Sequence, residues 1–86
     1  MYRVLWKVTA LDNLYKLTHK TAIKLKAKIE YYLSQSPQEL GKPLIGEYKG
    51  LYRYRYGGYR IIYEIDKVNE QVIIIKVGHR REVYLR

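Results

Sequence analysis

LYRYRYGGYRIIYEI, Leu51–Ile65, decides how this chain folds. Two runs rich in tyrosine, isoleucine and arginine flank Gly57-Gly58. Such runs favour strands, and a Gly-Gly pair suits the positive φ angles of a two-residue type I′ hairpin turn. Counting outward from the turn, Tyr56 faces Tyr59, Arg55 faces Arg60, Tyr54 faces Ile61 and Arg53 faces Ile62. Directly opposed residues of antiparallel strands share a face. Arg53, Arg55 and Arg60 therefore stand on one side. Tyr52, Tyr54, Tyr56, Tyr59, Ile61 and Tyr63 stand on the other. A slip of one residue would bury the arginines, so the pattern pins the register.

Opposed like charges destabilise a sheet, by up to about 1 kcal/mol for a cross-strand pair. Neither arm offers an acid beside Arg55 and Arg60; Glu64 lies four positions from Arg60, roughly 13 Å along the strand. Planar, forked guanidinium donors match phosphate oxygens, so the cluster suits an external anion. The plain structural alternative is that these arginines splay into solvent or pair with Glu47 in the preceding loop.

Working outward toward the C-terminus, Gln71–Val77 reads as a third strand. If Asp66 and Gln71 close that hairpin, Arg60 faces Val77, and His79 follows on the arginine face unless Gly78 introduces a bulge. Histidine has an ordinary pKa of about 6.5, the value proton exchange near neutrality requires, although a histidine near a strand end is more often structural. A basic tail follows, with Arg80, Arg81 and Tyr84.

Toward the N-terminus, a loop from Gln38 to Lys49 precedes the hairpin, and Pro37 ends the helical region before it. Apolar residues Ala22, Leu25, Ile29, Tyr32 and Leu33 mark one face of a helix over His19–Leu33. Lys20, Lys24, Lys26 and Lys28 populate the rest, either as a solvated face or as a phosphate-contacting one. Thr9-Ala10-Leu11-Asp12 resembles a capping box that opens a shorter helix through Ala10, Leu14 and Leu17. Tyr2–Val8 reads as the opening strand. The order β-α-α-β-β-β predicts an α+β class, one domain over residues 1–86, with an antiparallel sheet and both helices on one face.

Composition narrows the partners. Seventeen Lys and Arg against eight Asp and Glu give +9 on 86 residues, and the pI of about 9.8 exceeds the level near 9 that signals nucleic-acid binding. Eleven tyrosines supply surfaces on which bases stack. The chain has no cysteine, excluding disulfides and thiolate zinc sites. The charged opening MYRVLWKV is unlike a signal peptide, and no apolar run nears the roughly 18 residues of a membrane span. A cytoplasmic location without membrane contact is the expectation.

Carboxylate pairs, metal-ligand spacings and Gly-rich phosphate loops are absent from the sequence. Neither a cofactor nor a metal is expected. Phosphodiester chemistry without metal is open to such a chain, because RNA carries its own nucleophile, the 2′-hydroxyl. The protein then has to orient it, stabilise charge on phosphorus and move protons.

Four motifs occur in order: G-K-P-L from Gly41, G-L-Y-R-x-R from Gly50, G-x-Y-R-x-x-Y within Gly57–Tyr63, and G-H-R-x-x-V-Y from Gly78. Together they resemble the RelE/ParE superfamily of type II toxin–antitoxin toxins, over nearly the whole chain. The resemblance implies a small α+β toxin whose RelE-like branch enters the ribosome and cleaves mRNA through the 2′-hydroxyl, without metal. It implies catalytic positions at Arg53, Arg55, Arg60, Arg80 and Tyr84, the last stacking on a base, with His79 as a candidate proton carrier. The general base is open between His79, Arg55 and none. RNA contacts are expected from Lys20, Lys24, Lys28 and Arg81. Implied partners are an acidic antitoxin, the ribosome and mRNA, with the toxin monomeric outside its antitoxin complex. Two other readings carry forward: a ParE-like inhibitor of DNA gyrase, and a catalytically inactive RNA-binding module.

Overall fold

A computed structural model describes residues 1–79. The elements run β1 (Arg3–Trp6), α1 (Val8–Tyr15), α2 (His19–Gln35), α3 (Pro37–Leu40), β2 (Lys42–Pro43), a 3-10 turn (Gly46–Tyr48), β3 (Leu51–Tyr56), β4 (Tyr59–Asp66) and β5 (Gln71–His79). The five strands form one sheet in the order β1-β5-β4-β3-β2. β1 runs parallel to β5; the other pairs are antiparallel. The α+β expectation holds, with three helices rather than two, an added short edge strand, and a mixed sheet in place of the expected antiparallel one, because β1 lies parallel to β5.

The hairpin forms in the register its turn dictates. Arg53 pairs with Ile62, Tyr54 with Ile61, Arg55 with Arg60 and Tyr56 with Tyr59. Gly57 sits at φ +58°, the left-handed region that glycine enters without steric cost, but Gly58 does not share it, so the turn is not the expected type I′, which needs positive φ at both positions. On the helix side, Ile61, Tyr63, Val72, Ile74 and Val77 are buried against Ala10 and Leu14 of α1 and Ala22, Leu25, Ile29 and Leu33 of α2. Tyr52, Tyr54, Tyr56 and Tyr59 pack around this core. Full burial of each leucine or isoleucine contributes about 1.5–3 kcal/mol, so this layer is what the helices are held by.

Several local expectations are corrected. α1 begins at Val8, with Lys7 as its N-cap and no side-chain cap. The Thr9 hydroxyl instead donates to the Ile75 carbonyl at 3.3 Å, a long-range bond that fastens α1 to β5. Thr18 does cap α2, its hydroxyl accepting from the Thr21 N–H at 3.3 Å. α2 runs to Gln35 and Ser36 leaves helical geometry at φ −140°, as a residue before proline tends to. Pro37 then opens α3 at its first turn, where its missing N–H costs nothing. β5 continues to His79, two residues beyond the expected end.

The register of β5 also differs. Tyr63 pairs with Ile74 but Ile62 pairs with Lys76, so Ile75 is an extra residue in a bulge. The bulge turns Val77 into the core and Lys76 out. Without it, Lys76 would have pointed at the helices, and burying an unpaired ammonium costs several kcal/mol.

Candidate functional site: a cationic sheet face

The bulge decides which side chains share the arginine face. Beyond it, Arg60 pairs with Gly78 and Tyr59 with His79. Arg60 therefore does not face Val77, and His79 stands on the tyrosine side. Its ring meets the Tyr59 ring edge-on, 6.1 Å between centroids. His79 thus lies across the sheet from Arg55 and Arg60, contrary to the expectation that it follows on their face.

Two cations that the sequence reading overlooked join the arginines. Lys42 of β2 pairs with Arg53, and Lys76 of β5 pairs with Ile62, which itself pairs with Arg53. Lys42, Arg53, Ile62 and Lys76 form one row across four strands, about 14 Å from end to end. Arg55, Arg60 and Gly78 form the next row toward the hairpin tip. The side chain missing at Gly78 leaves room beside Arg60. Lys76 had a signal in the sequence: strict alternation through VIIIKV buries a lysine and exposes a valine, and only an inserted residue reverses that.

The face is not an open plane. Ile62 is only 1% exposed although it lies outside the helix-side core. Arg53 and Arg60 are half-buried, and the Arg60 Nε is withdrawn from solvent. Arg55 is exposed and forms no salt bridge among the described residues. A cleft of about 190 Å³ opens beside it, lined by Leu40, Lys42, Arg53, Tyr54 and Arg55. Tyr54 borders this cleft between Arg53 and Arg55, but its side chain packs on the helix side, where burial pushes its hydroxyl above its ordinary pKa and the neighbouring Tyr32 and Tyr56 add to the rise.

The short elements before the hairpin place Lys42. The Tyr63 hydroxyl donates to the Pro37 carbonyl at 2.6 Å, tying α3 to the centre of the sheet. Gly41 follows, so close to that ring that a Cβ would strike the Tyr63 hydroxyl. The Leu44 N–H then donates to the Leu51 carbonyl at 2.8 Å and closes β2 onto β3.

Lys20 and Lys24 are exposed on α2 and Lys28 is half-buried. α2 covers the tyrosine side, so these lysines form a second basic surface rather than an extension of the arginine face. Arg80, Arg81 and Tyr84 lie outside the described residues. Among the described residues, no group of three or more His, Cys, Asp or Glu side chains is placed to hold a metal ion. No helix among them is long and apolar enough to cross a membrane.

This small α+β domain gathers cations from four strands onto one sheet face, a charge pattern complementary to a polyanion. The chain matches the family described as the ParE toxin of the type II toxin–antitoxin system parDE, over residues 4–84. It is 38% identical over 88 residues to Toxin RelG of Mycobacterium tuberculosis, covering 99% of this chain and 98% of that protein. Its fold superposes with a TM-score of 0.84 on a chain of the toxin–antitoxin complex RelBE2 from M. tuberculosis, at 35% identity, covering 92% of this chain and 98% of that one. The isolated E. coli RelE toxin gives a TM-score of 0.71 at 26% identity, with 92% and 84% covered. The chain belongs to the RelE/ParE family of type II toxins.

Proposed function

We propose that this toxin is a ribosome-dependent endoribonuclease that cleaves mRNA without metal. The observation that carries the reading is the direct pairing of Arg55 with Arg60, flanked on the same face by Arg53, Lys42 and Lys76. A fold does not retain opposed guanidinium groups for stability, and a phosphodiester is the anion they fit best.

In the proposed reaction the 2′-oxygen attacks the adjacent phosphorus and the P–O5′ bond breaks. The products are a 2′,3′-cyclic phosphate and a 5′-hydroxyl. The proton of the 2′-hydroxyl leaves to a base, and one is delivered to the departing 5′-oxygen. Arg53, Arg55 and Arg60 stabilise the extra negative charge that builds on the non-bridging oxygens. A guanidinium, with a pKa above about 12, is a poor proton carrier. His79 pairs on the far side of the sheet, so charge stabilisation and orientation supply most of the rate. By family resemblance, Arg80 adds to the cluster and Tyr84 stacks on a base, holding the sugar for in-line attack.

The partners follow from the same reading. Solved relatives include toxin–antitoxin complexes, RelBE2 of M. tuberculosis and RelBE of E. coli. A net charge of +9 attracts an acidic antitoxin and speeds its association. The ribosome and mRNA are the targets, and the cytoplasm is the place of action. The test is a translating extract with sequenced mRNA ends. Cuts within codons are expected with the wild-type chain and are lost in Arg60→Ala and Tyr84→Ala; undiminished cutting by both variants removes the site.

A second reading rests on the family description itself, which names a ParE toxin. It has the chain inhibiting DNA gyrase by binding alone. Blocked supercoiling without RNA cleavage would establish it in place of the first.

A further inference from the structure

A cleft of about 350 Å³ lies at the hairpin tip, away from the arginine face, lined by Lys20, Thr21, Lys24, Leu25, Tyr56, Gly57 and Tyr59. It combines two aromatic rings with two ammonium groups, and no carboxylate is among its described lining residues. Tyr56 and Tyr59 are the pair that closes the hairpin, so their rings leave the sheet side by side. Each is steadied from behind. Tyr56 lies 6.3 Å from the Tyr32 ring, and Tyr59 meets His79 edge-on at 6.1 Å. Lys20 and Lys24 are one helical turn apart in the first two turns of the 17-residue α2, whose N-terminal end carries positive dipole charge. Leu25 floors the cleft. At the tip, the His79 ring approaches Gly58, with Nε2 3.4 Å from where a Cβ would stand, while among the described residues nothing lies within 4 Å of that position at Gly57, so the Gly57 end of the turn is open.

We propose that this cleft is a second RNA subsite, which takes one unpaired nucleotide: the base stacks on Tyr56 and Tyr59, and its phosphate sits between Lys20 and Lys24. The inference rests on the RNA reading above and extends it. Aromatic rings beside cations are the means by which proteins hold splayed-out nucleotides, since every base offers a π-face and every nucleotide a phosphate. Chain geometry links the two sites. Arg55 and Arg60 precede and follow Tyr56 and Tyr59 on the same two strands, one residue from them and on the opposite face. A single strand bound on the arginines reaches the cleft by bending around the Gly57 end of the turn. In this arrangement the lysines of α2 are not a general solvated surface; two of them share a cleft with a pair of tyrosines.

The test uses a fluorescein-labelled, fully 2′-O-methylated RNA hexanucleotide, which the 2′-hydroxyl chemistry cannot cleave. Its affinity is measured by anisotropy over a range of salt concentrations. For Lys20→Gln/Lys24→Gln, both exposed changes, the slope of log K against log salt is expected to flatten by about 0.7, the loss of one phosphate contact on a single strand. For Tyr56→Leu, binding is expected to weaken by about 5- to 150-fold, the loss of one stacked base. Uridine 5′-monophosphate, used as an NMR probe, should shift the amide signals of Lys24, Tyr56 and Gly57. If RNA binds and Arg55→Ala weakens it, while the lysine and tyrosine variants keep wild-type affinity and slope, the subsite is overturned and the arginine face stands. If the wild-type chain binds neither RNA nor the mononucleotide, the RNA reading falls and the subsite with it.

Discussion

Replacing Tyr63 by Phe tests how the site is built. The Tyr63 hydroxyl is buried and donates to the Pro37 carbonyl at 2.6 Å. Phenylalanine keeps the ring and its stacking on Tyr52, whose centroid lies 5.6 Å away at 19°. It removes only the donor and leaves a carbonyl without this partner. An unsatisfied buried acceptor costs about 1–3 kcal/mol. For a domain of this size each kcal/mol lowers Tm by about 4–8 °C, so a drop of at least about 4 °C is expected. The urea midpoint should fall by on the order of 1 M with an unchanged m-value. Exchange of the Leu40 amide hydrogen, which donates to Ser36 inside α3, should quicken more than that of the β4 amides. A midpoint unmoved by the substitution would mean that α3 is held by other means and that Lys42 is not anchored through Tyr63.

The same hydroxyl makes a prediction about pH. Burial raises the Tyr63 pKa well above its ordinary value, and the neighbouring Tyr52 and Tyr54 raise it further. A raised folded-state pKa means that the stabilisation is fully present below the unfolded value, about 10, and is lost as pH climbs from there toward the folded value. Wild-type Tm should therefore decline above about pH 10, and the decline should be shallower in Tyr63→Phe.

Gly41→Ala drives a methyl into the Tyr63 hydroxyl and against the Tyr52 Cβ; destabilisation of at least about 1 kcal/mol is expected, read by urea unfolding. Arg55→Ala relieves the opposed charges and should stabilise the fold by up to about 1 kcal/mol while weakening RNA binding, a pairing that calorimetry and anisotropy check together. Thr18→Ala removes the α2 cap and should cost about 1 kcal/mol with no change in the pH dependence of unfolding.

The hairpin register was readable because two independent signals agree on it. Gly57-Gly58 fixes the turn, and the alternation of arginine with tyrosine fixes which side is buried. The α2 face was readable for a similar reason: its periodic apolar residues continue over 17 residues. Where a single local signal stood alone, a distant contact overrode it. Thr9 had the form of a cap but bonds Ile75, 66 residues away. α3 and β2, of four and two residues, are too short for any periodicity. They exist because Tyr63 and Leu51 reach them from the sheet. Of the site, the arginine cluster was legible directly, and Lys76 only through the broken alternation of VIIIKV that calls for an inserted residue. Lys42 was not, since it depends on those short elements.

The site's rigidity follows from where its residues sit in the sheet. β4 lies between β3 and β5 and carries Arg60 on one face, with Ile61 and Tyr63 on the other. In β3, Arg53 and Arg55 alternate with Tyr52, Tyr54 and Tyr56, which pack on the core. Each arginine is therefore held by core residues on both sides of it in the chain. Shifting Arg55 along β3 by one residue would bring Tyr54 and Tyr56 out of the core as well, so the cations cannot lose their spacing while the domain stays folded. Fixed spacing is what electrostatic catalysis needs, because donors already in place cost no reorganisation when charge develops. The repulsion between Arg55 and Arg60 is thus set against the most strongly packed part of the molecule. Moving such a pair to the β1 edge, where only one neighbouring strand would hold it, should leave the charges free to relax apart.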